Sequence, residues 1–249
     1  MNIEVKPILI IGAMEVEIDF LITKLENLKE NIISNYHFYE GTINSYPVVI
    51  AKSKVGTIHA AAITELAIDK YQPICIINQG LAGGIGKEIH TKDIVIGSEI
   101  LHTMSAKTPY REIGEGSNSV EWDYITFVSG GEDKKITQKA DERLVHFFKK
   151  CAEEYKEGTT YVGVIGSGDV WDREKDRLAY FNQVHQVLCK EMEGISIYTI
   201  ANENHIAVVN IRVISDNELL GEPYDRNIGR TVQEFVYASV KKMIEKIEV

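Results

Sequence analysis

Two short stretches near the C-terminus gather side chains able to do acid–base chemistry. They are Lys190-Glu191-Met192-Glu193-Gly194 and Asn210-Ile211-Arg212-Val213-Ile214-Ser215-Asp216. The second continues the apolar run Ile206 to Val209 and reads as a buried strand ending in a serine and an aspartate. Open α/β sheets bind ligands at the carboxyl ends of their strands, so polar groups there point to a ligand. A carboxylate oxygen offers two lone pairs, which suits Glu191 or Glu193 to the paired hydroxyls of a ribose. Arg212 and Asp216 stand four residues apart on a strand and share a face. They are either a structural ion pair or two charges of a site; the small net stability of a buried pair favours the site.

Further candidates lie upstream. Glu15 and Glu17 follow Gly12-Ala13-Met14 at another strand end. The helix macrodipole favours acidic residues at a helix start, which accounts for Glu15 and leaves Glu17 to polarise a water or bind a hydroxyl. Gly80-Leu81-Ala82-Gly83-Gly84 follows the most strand-like segment, Ile74 to Asn78. Its glycines allow close backbone approach to a ligand, or serve a tight turn alone. The spacing is not the GxGxxG of a dinucleotide site. Trp171, after Gly168-Asp169-Val170, is placed either in the core or against a planar base. The seven histidines are scattered and form no metal-ligand motif, so neither metal nor cofactor is expected.

Alternating strands and helices must position these groups. Strands are expected at Ile8–Ile11, Phe38–Ile43, Val48–Lys54, Ile74–Asn78, Asp93–Leu101, Tyr161–Ile165, Val184–Leu188 and Ala207–Ile214. Helices are expected over Glu15–Leu28, Ile58–Tyr71, Ala140–Tyr155, Glu193–Asn204 and Gly229–Ile247, from apolar residues at helical spacing. A polar stretch, Lys107 to Asp133, carries Trp122, Tyr124 and Phe127 and reads as a functional excursion. No break divides the 249 residues, so one domain is expected over 1–249.

Composition excludes several classes of partner. The hydrophobic fraction of 44% and charged fraction of 26% are those of a globular protein with a sizeable core. A net charge of -10 argues against nucleic acid or an anionic membrane surface. No apolar stretch approaches the roughly 18 residues of a membrane-spanning helix, and Met1 to Val5 does not open a signal peptide. Three scattered cysteines, Cys75, Cys151 and Cys189, fit reduced thiols in the cytoplasm.

Taken in order, these segments resemble the purine nucleoside phosphorylase/uridine phosphorylase superfamily, and within it the 5′-methylthioadenosine/S-adenosylhomocysteine nucleosidases. The motifs are Ile11 to Glu17, Val55 to Ala61, Ile76 to Gly84, Asp93 to Val95, Ser167 to Asp169, Glu191 to Glu193 and Arg212 to Asp216. The resemblance implies a single-domain three-layer α/β/α fold with a central twisted mixed sheet. It implies an N-glycosyl hydrolase acting on a small purine nucleoside, and a homodimer. Asp216 would protonate the departing adenine, and Glu17, helped by Arg212, would position the water. Glu193 would bind the ribose hydroxyls with Met192 against the sugar, and Trp171 would take the place of a phenylalanine against the base. Ala13, Leu81, Ala82, Gly83, Asp172, Glu191 and Ser215 would complete the substrate contacts.

Three positions depart from that pattern. Leu81 stands where a serine or threonine is usual, and Asp172 where an apolar residue is usual. The stretch from Thr103 to Phe127 does not match the part of the nucleosidases that forms the 5′-substituent pocket and dimer contact. Two alternatives are a phosphate-dependent phosphorylase and a nucleoside-binding relative without catalysis. The loop from Gly12 to Asp19 carries Glu15, Glu17 and Asp19 and no cation, which favours water over phosphate.

Overall fold

Ile8–Gly12 (β1) carries no polar side chain and is buried throughout. In the computed structural model, which describes residues 5–124, 126–127, 133–134 and 137–247, β1 sits inside a large sheet. It pairs in parallel with β4 (Tyr46–Lys52) on one side and β5 (Cys75–Gly84) on the other. Beyond β4 lie β3 (Tyr36–Ile43) and β2 (Glu26–Ile33), both antiparallel. Asn44 and Ser45, at φ 48° and 63°, form the tight β3–β4 turn read from the sequence.

On the other side β5 pairs in parallel with β12 (Ala207–Asp216), which pairs antiparallel with β6 (Ile94–His102). β10 (Thr160–Ser167) follows β6 and β11 (Val187–Glu191) follows β10, both in parallel. β11 then returns to β5 through the pairs Cys189–Gly84 and Lys190–Gly83. Five strands thereby close into a ring at the carboxyl end of β5. β9 (Thr137–Lys139) adds to β6, and two-residue strands β7 (Thr126–Phe127) and β8 (Asp133–Lys134) pair apart from the main sheet.

Helices cover both faces, as the alternation along β1 requires: Ile8 and Ile10 face one core, Leu9 and Ile11 the other. The first core takes α1 (Glu15–Thr23), α3 (Glu142–Cys151) and α6 (Gly229–Ile247). The second takes α2 (Thr57–Tyr71) and α5 (Gly194–Glu203). The fold is the expected three-layer α/β/α with a mixed sheet.

The sequence reading errs at three places. α1 ends at Thr23, and residues expected to continue it form β2. Leu25 and Leu28 mimic helical spacing, but β2 is an exposed edge strand with charges at Glu26, Lys29 and Glu30. α4 (Lys175–His185) was not foreseen; Leu178 and Phe181 bury it, and Val184 belongs to it rather than to a strand. Gln186, at φ 56°, ends α4 so that β11 begins only at Val187. Finally, β5 does not stop at Asn78 but runs through Gly84.

In the 107–133 stretch, Lys107 bridges to Asp123, and Tyr124 packs on Phe181 with ring centroids 4.8 Å apart. Trp122 and Tyr124 thus cover α4. The Phe127 side chain and residues 125 and 128–132 lie outside the described residues. No described helix is long and apolar enough to cross a membrane.

Candidate functional site

The carboxyl ends of β1, β5, β11 and β12 surround one cleft. Its walls include Ala13, Met14, Glu17, Val55, Leu81, Ala82, Gly83, Trp171, Asp172, Lys190, Glu191, Met192, Glu193, Ser215, Asp216 and Tyr224. Twelve of the thirteen residues singled out from the sequence therefore meet here. The exception is Arg212, which stands directly behind.

Glu17 comes from the first turn of α1, and 1% of it is exposed. Its Oε2 accepts from the Ala13 and Met14 N–H groups at 2.8 and 2.9 Å, and Oε1 accepts from Leu81 N–H at 2.8 Å. Three main-chain donors fix the carboxylate: both lone pairs of Oε2 are taken, and Oε1, with one donor, keeps capacity for a ligand. Gly80 explains the strand-embedded glycine: a Cβ there would collide with Glu17 Oε1 and come within 2.6 Å of Arg212 Nη1.

The two glutamates of β11 and the turn after it have separate surroundings. Glu191 accepts from the Glu193 and Gly194 N–H groups at 3.0 and 2.9 Å, at the start of α5, where the helix dipole favours a carboxylate. It also takes Arg212 Nη2 at 2.5 Å. Arg212 Nε donates to Asn210 Oδ1 at 2.8 Å. Arg212 therefore pairs with Glu191, not with Asp216. Glu193 lies 3.7 Å from Arg212 and accepts one hydrogen bond, from Gly56 N–H at 3.0 Å. Burial first, and the charge of Glu191 second, hold its carboxyl well above the usual glutamate range.

Asp216 ends β12, where the register with β5 shifts between Ile214 and Asp216. Ser215 Oγ donates to its Oδ1 at 2.6 Å. Burial raises its pKa from the ordinary aspartate value, against the lowering effect of the serine. Trp171 is 61% exposed at the rim, edge-on to Tyr224 with ring centroids 5.2 Å apart. At that exposure the indole is accessible to a planar group. Asp172 is buried and its Oδ2 meets Lys190 Nζ at 2.5 Å and Arg177 Nε at 3.2 Å.

Two features escaped the sequence reading. Lys190 lines the cleft, and the signal was present as a lysine inside an otherwise buried strand. Asp169 caps α2 from a distant loop: its Oδ1 accepts from Thr57 N–H at 2.7 Å, and Oδ2 from the Thr57 hydroxyl. This contact holds Gly56, at φ 104°, against Glu193. No spacing within either segment signals that link. Among the described residues no group of three His, Cys, Asp or Glu side chains is arranged to hold a metal.

The cleft thus gathers a carboxylate fixed by three main-chain donors, a buried glutamate held by Gly56 and an aspartate with a raised pKa at a strand end. Residues 7–248 match the profile of one family over nearly the whole chain. The chain belongs to the phosphorylase superfamily. Within that superfamily it is similar to a 5′-methylthioadenosine/S-adenosylhomocysteine nucleosidase of Psychromonas ingrahamii. The two are 31% identical over 239 residues, covering 91% of this chain and 96% of the relative. A nucleosidase of the same description from an Exiguobacterium strain is 31% identical over 209 residues, 84% of each chain. The superfamily fold is matched by the crystal structure of the Neisseria meningitidis nucleosidase in complex with methylthio-immucillin-A. That match has a TM-score of 0.78 at 26% identity and covers 95% of this chain and 99% of that one.

Proposed function

We propose that the cleft hydrolyses the N-glycosidic bond of a purine nucleoside, 5′-methylthioadenosine or S-adenosylhomocysteine, releasing adenine and the thio-sugar. The observation that carries this reading is the charge of the walls. Six acidic side chains line the cleft (Glu17, Asp172, Glu191, Glu193, Asp216 and Glu218), two of them, Glu193 and Asp216, with raised pKa, against one cation, Lys190. Nearby cations are already paired: Arg212 with Glu191, and Lys52 with Glu15 at 2.7 Å. Such a cleft repels phosphate and accepts water.

N-glycoside cleavage passes through an oxocarbenium-like state, with charge growing on the sugar and on the leaving base. Glu193 accepts from the ribose hydroxyls with Met192 against the sugar. Asp216 gives its proton to the five-membered ring as the C1′–N9 bond breaks and its electron pair moves to the base. Glu17 takes a proton from the water whose oxygen bonds to C1′. Trp171 stacks on the base. Arg212 acts through the glutamates, holding Glu191 and facing Glu193.

A binding protein without catalysis is the weaker reading. The lack of a hydroxyl at Leu81 is what favours it, yet Leu81 supplies its main-chain N–H to Glu17. The same proposal takes residues 1–249 as one domain, which the single large sheet supports. It takes the protein as a cytoplasmic homodimer, in keeping with three buried free cysteines and the relatives' family. A panel of methylthioadenosine, adenosylhomocysteine, adenosine, inosine and guanosine tests the substrate. Adenine release fastest from a thio-nucleoside supports the proposal, and exclusive cleavage of inosine or guanosine refutes it.

A further inference from the structure

Lys190 and Asp216 face the same glycine from opposite sides. The β11–β5 pairing sets Lys190 against Gly83, and the β12–β5 pairing sets Asp216 against Gly83. With neighbouring strands about 4.8 Å apart, their backbones are separated by roughly 10 Å across a floor that carries no side chain. Both residues line the cleft.

The Lys190 ammonium is buried, 2.5 Å from Asp172 Oδ2 and 5.0 Å from the Phe181 ring centroid. Arg177 Nε lies 3.2 Å from the same oxygen, and its Nη2 donates to Thr103 O at 3.0 Å. One buried carboxylate thus serves two buried cations. Glu174, the next carboxylate, is exposed at the start of α4. A buried excess of positive charge is costly unless a group of opposite charge completes it. An ammonium has three N–H donors, and Asp172 takes one of them.

This step rests on the nucleosidase reading. The electron pair released from the glycosidic bond spreads over the whole purine, whereas Asp216 protonates only the five-membered ring. We infer that Lys190 is a second leaving-group residue, its ammonium donating a hydrogen bond to a pyrimidine-ring nitrogen of the departing purine. Asp172 and Arg177 position it. Lys190 transfers no proton; from its buried position it stabilises charge that develops as the bond breaks. Its ligands are purines with an unsubstituted acceptor nitrogen on that ring.

The test measures kcat and KM of wild type and Lys190→Met on methylthioadenosine and on its 1-deaza and 3-deaza analogues. In the variant Asp172 keeps Arg177 as a partner. On the parent substrate the variant should lose about a hundredfold in kcat with a far smaller change in KM. On the analogue lacking the bonded nitrogen, the same substitution should cost less than about threefold, because the hydrogen bond is already gone. An equal loss on all three substrates, or a near-normal kcat on the parent, overturns the inference. If wild type cleaves none of the three, the nucleosidase reading fails and this inference with it. A wild type that cleaves them alongside an unimpaired variant removes only the role of Lys190. If Lys190→Met does not fold, wild type alone decides: equal kcat on both deaza analogues and the parent overturns the inference.

Discussion

Glu17 Oε1 accepts a hydrogen bond from the Leu81 main-chain N–H at 2.8 Å, joining residues 64 positions apart. The contact does not depend on the residue type at position 81. The donor that holds the carboxylate belongs to the backbone, so the side chain is free to vary. It also ties the first turn of α1 to β5, two elements that wall the cleft.

The neighbour of Leu81 has no such freedom. Gly80→Ala would push a methyl into Glu17 Oε1 and Arg212 Nη1. Overpacking of this kind costs about 1–3 kcal/mol. The expected result is a lowered melting temperature together with a larger loss of kcat, since Glu17 is displaced. Wild-type activity in this variant would mean that the position of Glu17 is unimportant to the reaction.

Asp216→Asn keeps the shape of the side chain and removes its proton. Loss of a general acid lowers the rate by about a hundredfold or more. Steady-state kinetics on methylthioadenosine measure it. A rate near that of wild type would take the acid role away from Asp216.

Trp171→Ala separates binding from folding, because the indole is 61% exposed. Stacking of a base on an aromatic ring is worth about 1–3 kcal/mol. KM should therefore rise by about tenfold while the melting temperature stays put. An unchanged KM would show that the base stacks elsewhere.

Glu193 couples the site to pH. Burial raises its pKa in the folded protein above the value of about 4.3 in an unfolded chain. The folded state then binds this proton more tightly, so its contribution to stability is full below that value and is lost as pH rises through the folded pKa. Glu193→Gln is neutral at every pH. Its melting temperature relative to wild type should increase between about pH 5 and about pH 8. A constant or shrinking difference would contradict the raised pKa.

Much of this was legible because strand ends concentrate chemistry. The runs Ile8 to Ile11 and Ile206 to Val209 announce buried strands, and a carboxylate just beyond each one has no structural need to be there. Glu17 and Asp216 could be placed at the cleft on that ground, and Glu193 from its own stretch, Lys190 to Gly194. The edge strand β2 could not be found, because it buries almost nothing, and Leu25 just before it and Leu28 within it fall at helical spacing. α4 was hidden by its polar surface, with Leu178 and Phe181 as its main buried anchors beside Arg177. Partner choice was also illegible. Arg212 is four residues from Asp216 on one strand, yet its partner is Glu191, supplied by β11 and tied to the start of α5. Such pairings depend on which strands become neighbours, and no spacing within one segment reports that.

The most direct test of a water-using cleft is adenine release from methylthioadenosine in phosphate-free buffer, followed with and without added phosphate. The acidic walls predict full turnover without phosphate, free thio-sugar as the second product, and no acceleration when phosphate is added. Turnover that depends on phosphate and yields a sugar 1-phosphate would contradict the account.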